Sequence, residues 1–351
     1  MPESFPRPLK TAGEQTPFGV AALFGVAAPP EREAVPRFHI GGVPVYGDAI
    51  LSPMEGYSDL PFRLICRQLG SAMSYTEFIN ALGLLENFQR EAPKFRFDER
   101  ERPVVFQIFD HDRRRLLEAA LRLQEFAPDI IDLNMGCPAK TVAGRGAGSG
   151  LLRTPIRAAR IIRTLSRALE VPLTAKIRLG WDDDCRNYRL IARIAEENGA
   201  AALAVHGRTR AQKYGGRADW DAIAEIVETV SIPVIGNGDV RRPADIARMK
   251  AHTNCAAVMI GRGTIGNPWI FAGLEREQVP PAAVHATMRY HLDLMLDFYG
   301  PEWGLIRFRK HTAQYLAPYR LERETRRQLL TASSPQAYRA LLATVFDGLN
   351  F

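Results

Sequence analysis

Short apolar segments of strand length recur along most of the chain, and an amphipathic helical pattern follows each of them. Several are apolar at successive positions, as parallel strands covered by helices on both faces must be. Eight alternating units predict an α/β fold of the (β/α)8 TIM-barrel type. No GxGxxG motif opens a helix after the first strand, which argues against a doubly wound sheet. The eight segments lie near residues 49–53, 72–76, 103–108, 129–133, 171–177, 201–205, 232–236 and 256–260.

Two further regions flank the predicted barrel. Residues 38–48 alternate apolar and polar positions around two glycines, which predicts a short hairpin. After Trp269 the strand pattern stops, and residues 275–282 have the composition of a linker. We therefore expect a catalytic barrel domain over 37–272, including the hairpin, and a small all-helical domain over 273–351. The helices of that second domain are predicted over 283–299, 301–316, 320–330 and 335–348.

The N-terminal residues 1–36 have a different composition. They contain seven prolines and show neither a strand nor a helix period, which predicts a poorly ordered extension. Residues 18–28 form an apolar run long enough for the core of a signal peptide, so export is the alternative interpretation. A signal peptide carries positive charge ahead of its apolar core, but here the acidic Glu14 lies just ahead of the run. We therefore favour a flexible or partner-docking tail.

Composition and charge narrow the class of protein. The chain has 351 residues, 46% of them apolar, which excludes wholesale disorder, collagen and coiled coil. No apolar run reaches the roughly 20 residues of a membrane-spanning helix, so no membrane association is expected. Four scattered cysteines without a CxxC pair predict reduced thiols, no metal site and a cytoplasmic location. The net charge of +7 permits an acidic partner, and residues 137–178 alone hold nine Lys or Arg against one acid.

Polar side chains or glycine turns end seven of the eight predicted strands. In barrels of this type the active site lies at the C-terminal ends of the strands. A single Gln or His at such a position is more often a satisfied hydrogen-bonding group, but agreement among seven strands indicates a site. The candidates are Pro53, Met54, Glu55, Gln107, Asn134, Cys137, Lys176, Arg178, His206, Arg208, the turn 236–239 and the turn 261–263.

The glycine-rich turns after the seventh and eighth strands predict a phosphate site. Glycine lets backbone N–H groups approach a phosphate closely, and Arg262 can add a charge-assisted hydrogen bond. A helix expected to start near Thr264 would direct its N-terminus at the anion. The alternative is that these glycines only form tight turns.

Lys176 lies inside a predicted strand, where an ammonium group is costly unless an electron-rich partner accompanies it. It could form a Schiff base, as in barrel aldolases, or hydrogen-bond the pyrimidine edge of a flavin. A lysine that extends to the rim of the barrel is the structural alternative.

Cys137 lies in a glycine-rich loop at the same face of the barrel. The nearby Lys140 and Arg145 are expected to lower the pKa of its thiol, which could then give or take a proton. Cys66 and Cys255 lie in apolar segments and are interpreted as small core residues.

Six motifs occur in the order typical of one enzyme family. They are MEGYSDLPFR (54–63), DLNMGCPAK (132–140), KIRLGW (176–181), HGRTR (206–210) with YGGRADW (214–220), GNGD (236–239) and MIGRGTIGNPWIF (259–271). On these residues the chain resembles the bacterial tRNA-dihydrouridine synthases, and most closely their B type. The helical tail with RFRKH (307–311) resembles the RNA-binding C-terminal domain of that family. Glu55 departs from the pattern, because relatives often carry Ala there.

The resemblance implies an FMN-dependent reduction of the C5–C6 double bond of specific uridines in tRNA, with NADPH or NADH as the reductant. It implies that Cys137 is the proton donor, and no stable protein partner, so we expect a monomer. The FMN contacts it implies are Pro53, Met54, Glu55, Gln107, Lys176, His206, Asn237, Gly238, Asp239, Gly261 and Arg262. The tRNA contacts expected on the barrel are Asn134, Lys140, Arg145, Arg178 and Arg208. On the tail helix, Arg307, Lys310, His311 and Gln314 share one face with Tyr315 nearby for stacking.

Three other functions remain open on the sequence. An FMN barrel that acts on free pyrimidines, such as a dihydroorotate or dihydropyrimidine dehydrogenase, would leave the basic helical tail without a role. A Lys176 Schiff-base aldolase and a catalytically silent RNA-binding protein are the other two. A protein that binds no flavin would exclude both reductase interpretations.

Overall fold

The computed structural model describes residues 35–348. The predicted extension over 1–36 therefore lies outside the described residues, apart from its last two positions. The first elements are β1 (Phe38–Ile40) and β2 (Val43–Val45), which pair antiparallel and confirm the predicted hairpin. Ile40 and Val45 are fully buried and pack with the apolar residues that fill the barrel interior. The hairpin thus closes the N-terminal end of the barrel.

All eight strand positions of the predicted barrel are present. Seven of the eight neighbouring positions pair in parallel, including the last strand with the first. Two short strands, β4 (Ser74–Tyr75) and β5 (Ile79–Asn80), both pair with β6 (Val104–Phe109) and together fill the second position of the barrel. Between β3 (Ala49–Leu51) and β4, the Ala72 N–H donates to the Ala49 carbonyl at 2.8 Å. The strands are β3 (Ala49–Leu51), β4 (Ser74–Tyr75), β5 (Ile79–Asn80), β6 (Val104–Phe109), β7 (Ile130–Met135), β8 (Leu173–Arg178), β9 (Leu203–His206), β10 (Val234–Asn237) and β11 (Ala257–Ile260).

Helices cover the outside of the strands, and aspartates cap several of them. Asp112 accepts from two backbone N–H groups at 2.9 Å, and Asp219 accepts from the Ala222 N–H at 3.0 Å. No helix within residues 35–348 is long and apolar enough to cross a lipid bilayer. The barrel helices are α1 (Leu60–Gln68), α2 (Ala81–Glu86), α3 (Phe88–Phe95), α4 (Arg113–Gln124), α5 (Lys140–Ala143), α6 (Pro155–Ala168), α7 (Tyr188–Glu197), α8 (Trp220–Thr229) and α9 (Pro243–Thr253).

The last strand departs from the predicted alternation. After β11 the chain forms two short 3-10 turns, Arg262–Thr264 and Pro268–Ala272, instead of the helix expected near Thr264. The physical reason is that the C-terminal helices cover this side of the barrel. Val258 and Ile260 of β11 share a buried apolar cluster with Met288 and Leu292 of that region.

Four helices form the C-terminal region and confirm the predicted helical tail. Their apolar faces form one continuous core with α1 and with strands β3 and β11. Two polar contacts add to it: the Gln68 amide donates to the Tyr290 hydroxyl at 3.0 Å, and the Tyr299 hydroxyl donates to Asp59 at 3.1 Å. The helices are α10 (Pro281–Tyr299), α11 (Pro301–Tyr315), α12 (Arg323–Thr331) and α13 (Pro335–Gly348).

Every second residue of a strand points into the barrel. These inward-facing residues change from apolar to polar along the barrel axis. Toward the N-terminal ends the interior is largely apolar, with Met73, Val105, Ile130, Ala202, Ile235 and Ala257. Toward the C-terminal ends it is polar, and the buried side chains there are Gln107, Asp132, Asn134, Thr174, Lys176, Arg178, His206 and Asn237. The fold therefore gathers its buried polar groups at the end where a barrel site is expected.

Two histidines lie inside the contact between α1 and the C-terminal helices. His291 and His311 are fully buried, with ring centroids 4.4 Å apart and Phe62 against both rings. Neither ring nitrogen of His311 has a hydrogen-bond partner among the described residues. Burial lowers the pKa of His311 well below its ordinary value, and that of His291 to about 3.

We predict that His311→Leu flattens the acid side of the stability profile. A buried neutral histidine has a folded-state pKa below its unfolded value, so the unfolded chain binds more protons as the pH falls below about 6.5. Each such group lowers the unfolding free energy by up to about 1.4 kcal/mol per pH unit in that range. Chemical denaturation at pH 7.5, 6.0 and 5.0 should show a smaller decline for the variant than for wild type, whereas parallel profiles would contradict the assignment.

Candidate active site

A cavity of about 870 Å³ opens where the C-terminal ends of the barrel strands converge. This volume lies in the roughly 300–1,000 Å³ range of pockets that bury small-molecule ligands. Four predicted site residues, Arg145, Arg208, Arg307 and Lys310, are not among its lining residues. The predicted site residues that line it are Pro53, Met54, Glu55, Gln107, Asn134, Cys137, Lys140, Lys176, Arg178, His206, Asn237, Gly238, Asp239, Gly261 and Arg262.

A line of hydrogen-bonded side chains forms the wall below the Cys137 loop. The Gln107 amide nitrogen donates to Asp132 at 2.7 Å, and the Thr174 hydroxyl donates to the other oxygen of that carboxylate at 2.6 Å. The Asn134 amide nitrogen donates to the Gln107 carbonyl oxygen at 2.9 Å. Burial raises the pKa of the Asp132 carboxyl to about 6, because the charged form is disfavoured away from water.

The backbone of Cys137 is held on both sides. The Asn134 side-chain oxygen accepts from the N–H groups of Gly136 and Cys137 at 3.0 and 2.9 Å. The Ser149 hydroxyl donates to the Cys137 carbonyl at 2.8 Å. The loop that carries the thiol is therefore fixed from strand β7 and from its own far end.

The pKa of the Cys137 thiol is shifted in the direction opposite to the one expected from the sequence. Burial raises the pKa of Cys137, and the charge of Glu55 acts in the same direction. The cations that oppose this rise are Arg178 and Lys176, and neither Lys140 nor Arg145 contributes appreciably. The expectation of a lowered pKa was wrong because the side chain is largely removed from water, and the group stays a protonated thiol at neutral pH.

Lys176 lies on the neighbouring strand with its side chain buried. Its ammonium group donates to the Asn237 side-chain oxygen at 3.0 Å, and the Asn237 amide in turn donates to the Met259 carbonyl at 2.7 Å. Burial, followed by the charge of Arg178, lowers the pKa of Lys176 to about 7. In the register of the sheet Lys176 stands beside Asn134, so the amine and the Cys137 loop occupy adjacent strands.

Arg178 lines the cavity but most of its donors are used by the protein. It donates to the carbonyls of Gly136, Thr209 and Lys213 at 2.7, 3.0 and 2.7 Å. The side chain therefore ties the Cys137 loop to the loop after β9.

Arg208 does not face the cavity, which corrects its expected role as a substrate contact. It is 1% exposed and donates to both carboxylate oxygens of Asp239 at 2.7 Å and to the Gly215 carbonyl at 2.9 Å. Asp239 and the preceding Gly238 both have left-handed backbone, and a Cβ at Gly238 would lie 2.7 Å from that of Ala218. This ion pair, in which the arginine is buried and the aspartate side chain is 24% exposed, therefore holds the turn after β10 in a conformation that few residues adopt.

The expected anion end of the cavity is built from two turns in close contact. A Cβ at Gly263 would lie 2.5 Å from the Val240 carbonyl, so the turn after β11 packs directly on the turn after β10. Positive charge comes from Arg262 and Arg241, which both line the cavity, and not from the helix N-terminus expected at Thr264. The Arg262 guanidinium lies 4.6 Å from the centre of the Tyr214 ring.

Sequence reasoning missed several cavity residues. Tyr214 and Tyr57 both line the cavity, and each has a cation against its ring. The signal for Tyr214 was its place in YGGRADW, directly before two glycines. Glu55 lies at the mouth, where its carboxylate pairs with Lys94 at 3.1 Å and burial raises its pKa. Lys94 had no distinguishing signal, because it lies far from the motifs.

The predicted basic face of α11 is only partly present. Arg307 is exposed, with its guanidinium 4.6 Å from the Tyr299 ring centre, and Lys310 lies 4.8 Å from the ring centre of Tyr57. His311 and Tyr315 are fully buried, which corrects their expected place on an RNA-facing surface. They belong to the apolar side of the helix, which packs on the barrel.

The family model described as dihydrouridine synthase (Dus) matches residues 50–349. The chain belongs to this family. It is 42% identical over 287 residues to tRNA-dihydrouridine synthase B of Pseudomonas aeruginosa, covering 80% of this chain and 86% of that relative. It is 39% identical over 318 residues to tRNA-dihydrouridine synthase B of Xanthomonas campestris pv. campestris, covering 88% and 96%.

These findings confirm the family resemblance and the tRNA-dihydrouridine synthase function predicted from it, and they identify the chain as a flavin-dependent oxidoreductase. A solved structure of histamine dehydrogenase from Rhizobium sp. 4-9 has a TM-score of 0.53 at 13% identity, over 73% of this chain and 50% of that one. That likeness shows a shared fold alone.

The residues of the cavity fit a flavin. Lys176 is a buried amine with a lowered pKa, which gains from an electron-rich ligand. Gly238, Gly261 and Gly263 of the turns after β10 and β11 line the cavity without a side chain, beside the cationic Arg262. Among residues 35–348, no group of three or more His, Cys, Asp or Glu side chains could hold a metal ion.

We predict that Asp239→Asn destabilises the fold by about 2–3 kcal/mol, because it leaves the buried Arg208 cation without a counter-charge. Asn tolerates left-handed backbone, so strain is not introduced. Glu324→Gln, which breaks an exposed ion pair on α12, is the matched control and should change stability by less than about 1 kcal/mol. Urea denaturation measures both, and equal effects would contradict the proposed role of the Arg208–Asp239 pair.

Proposed function

We propose that this chain binds FMN in the cavity and reduces the C5–C6 double bond of uridines in tRNA, with NADPH or NADH as the reductant and Cys137 as the proton donor. The observation that carries the proposal is the placement in one cavity of a protonated thiol, in the loop after β7, and a buried amine on the adjacent strand β8. A cytoplasmic location follows from the tRNA substrate, and we expect the protein to act as a monomer.

We propose that the flavin is held at two ends of the cavity. Lys176, Gln107 and His206 would contact the ring system, with Pro53, Met54 and Asn237 beside them. Gly238, Asp239, Gly261 and Arg262 would surround the phosphate, since their turns combine close backbone approach with positive charge. When bound, the flavin supplies the hydride equivalent for the uracil ring.

Cys137 suits the role of general acid. Its raised pKa keeps the proton on the sulfur until the uracil C5 requires it. Transfer of that proton to C5 leaves a thiolate, which the positive charges of Arg178 and Lys176 stabilise. Glu55, Arg178 and Lys176 are the charged groups that act on this sulfur, and solvent protons restore the thiol after product release.

The tRNA would bind two basic surfaces, one on each side of the cavity. On the side of β3, Arg307 and Lys310 of α11 lie beside the mouth, and Lys310 covers Tyr57 of the cavity wall. On the side of β8, which stands opposite β3 in the strand order, the guanidinium groups of Arg153 and Arg210 lie 4.8 and 4.4 Å from the centre of the Trp181 ring.

Within the described part of the chain, neither Arg153 nor Arg210 forms an ion pair with a carboxylate. Such cations are available to phosphates, whose contacts would offset the few kcal/mol needed to extract the base. A dehydrogenase of free pyrimidines needs neither surface, which favours tRNA over that alternative.

We predict that Cys137→Ala retains bound flavin and its reduction by NADPH but forms dihydrouridine at least about 100-fold more slowly, as expected on loss of a general acid. Nucleoside analysis of tRNA by mass spectrometry measures the product. Cys185→Ala, which removes a thiol outside the cavity lining, is the control and should retain activity. Full activity in Cys137→Ala would remove Cys137 from the proposed role.

We predict that neutralising the cations of either basic surface lowers the affinity for tRNA and makes that affinity less dependent on salt. Arg153→Gln with Arg210→Gln on one side, and Arg307→Gln with Lys310→Gln on the other, should each reduce the slope of log K against log salt by about one per lost phosphate contact. Arg248→Gln on α9 removes an exposed charge outside both basic surfaces and serves as the control. An unchanged slope in both double variants would place the RNA elsewhere.

A further inference from the structure

The buried carboxylate of Asp132 lies one layer below the cavity and has no part in the steps described above. It is fully buried and does not line the cavity. Thr174 and Gln107 occupy its two oxygens. Gln107 connects it to Asn134, and Asn134 connects to the backbone of Cys137. Four residues thus form an unbroken line of hydrogen bonds from the barrel interior to the loop that carries the thiol.

The direction of each bond in this line is fixed at both of its ends, because Asp132 can only accept and the backbone N–H groups of Gly136 and Cys137 can only donate. An ionised carboxylate can only accept hydrogen bonds, so the Gln107 side chain must turn its nitrogen toward Asp132. Its oxygen then faces Asn134, which must turn its own nitrogen toward Gln107. The Asn134 oxygen is left to face the N–H groups of Gly136 and Cys137. If Gln107 turned over, the Asn134 nitrogen would meet another donor and the line would break.

We propose that Asp132 is a positioning residue for Cys137, which sets the orientation of Gln107 and Asn134 and through them holds the proton-donor loop in place. This inference rests on the proposed role of Cys137 and deepens it. Amide side chains have no preferred orientation of their own, because their oxygen and nitrogen ends have nearly the same shape. Inside the barrel the buried Asp132 acceptor removes this ambiguity for Gln107, and the loop can meet the Asn134 oxygen with its N–H groups only in the matching orientation.

The first test removes the acceptor. Asp132→Leu should free the loop, expose the sulfur and raise the rate of Cys137 alkylation by iodoacetamide about tenfold near neutral pH, as its pKa moves toward the ordinary value. Peptide mass spectrometry measures alkylation at this one cysteine across a pH series. Thr174→Val is the matched control, because it removes the other hydrogen bond of Asp132 and leaves the bond to Gln107. Its profile should stay within about twofold of wild type.

The second test exchanges the two ends of one hydrogen bond. Gln107→Glu alone places two carboxylates in contact and should raise the alkylation rate, as Asp132→Leu does. When Gln107→Glu is combined with Asp132→Asn, the new amide can donate to the new carboxylate and still accept from Thr174. The new carboxylate can in turn accept from Asn134. The double variant should therefore recover the wild-type alkylation profile. Because it conserves side-chain volume, it keeps the test available if Asp132→Leu does not fold.

Three results would overturn the inference. They are a wild-type profile in Asp132→Leu, an equal change in Thr174→Val, and no recovery in the double variant relative to Gln107→Glu. The readout needs neither flavin nor tRNA, so it is separable from the proposed function, which fails if the wild-type protein forms no dihydrouridine. If both hold, Asp132→Leu should also lower the rate of dihydrouridine formation roughly 100-fold, the scale expected for a misplaced reacting group.

Discussion

Burying charged and amide side chains inside a parallel barrel is the constraint on which this site depends. Away from water each such group needs a partner of the right polarity, since an unpaired one costs several kcal/mol. Asp132, Lys176 and Arg208 all meet this requirement through specific neighbours, Gln107, Asn237 and Asp239. Satisfying these groups leaves few alternative arrangements of the side chains at the polar end of the barrel.

The same burial sets the chemistry of the two groups proposed to act. It raises the pKa of Cys137 and lowers that of Lys176 to about 7. A thiol that keeps its proton and an ammonium group that gives up its proton readily therefore face the same cavity. Each shift follows from the cost of charge in a low-dielectric interior. Two of the bonds that hold the Cys137 loop come from Asn134, in the line that Asp132 starts, and others come from Ser149 and Arg178. Burial of polar groups therefore contributes to both the position and the protonation of the thiol.

Much of the fold could be predicted from the sequence, because strand and helix periods are local properties and strand ends of a parallel barrel converge on one face. That convergence also identified most of the cavity lining, including Gln107 and Lys176. Properties that depend on tertiary burial could not be predicted. Arg208 stands two positions after His206, yet β9 has ended there and its side chain turns to Asp239. The direction of the Cys137 pKa shift depends on its neighbours in space, not on Lys140 and Arg145 in the sequence. His311 was the avoidable error, since it continues the buried face of α11 at the spacing of Phe308 and Tyr315.

An anaerobic absorbance measurement tests the central claim most directly, that this cavity uses a bound flavin to reduce uridine within tRNA. Purified protein is bleached with one equivalent of NADPH and then mixed either with tRNA that lacks dihydrouridine or with free uridine at the same uridine concentration. The account predicts that flavin absorbance returns with tRNA, with one dihydrouridine formed per flavin, and does not return with free uridine on the same timescale. A colourless protein, or an equal return of absorbance with free uridine, would contradict it.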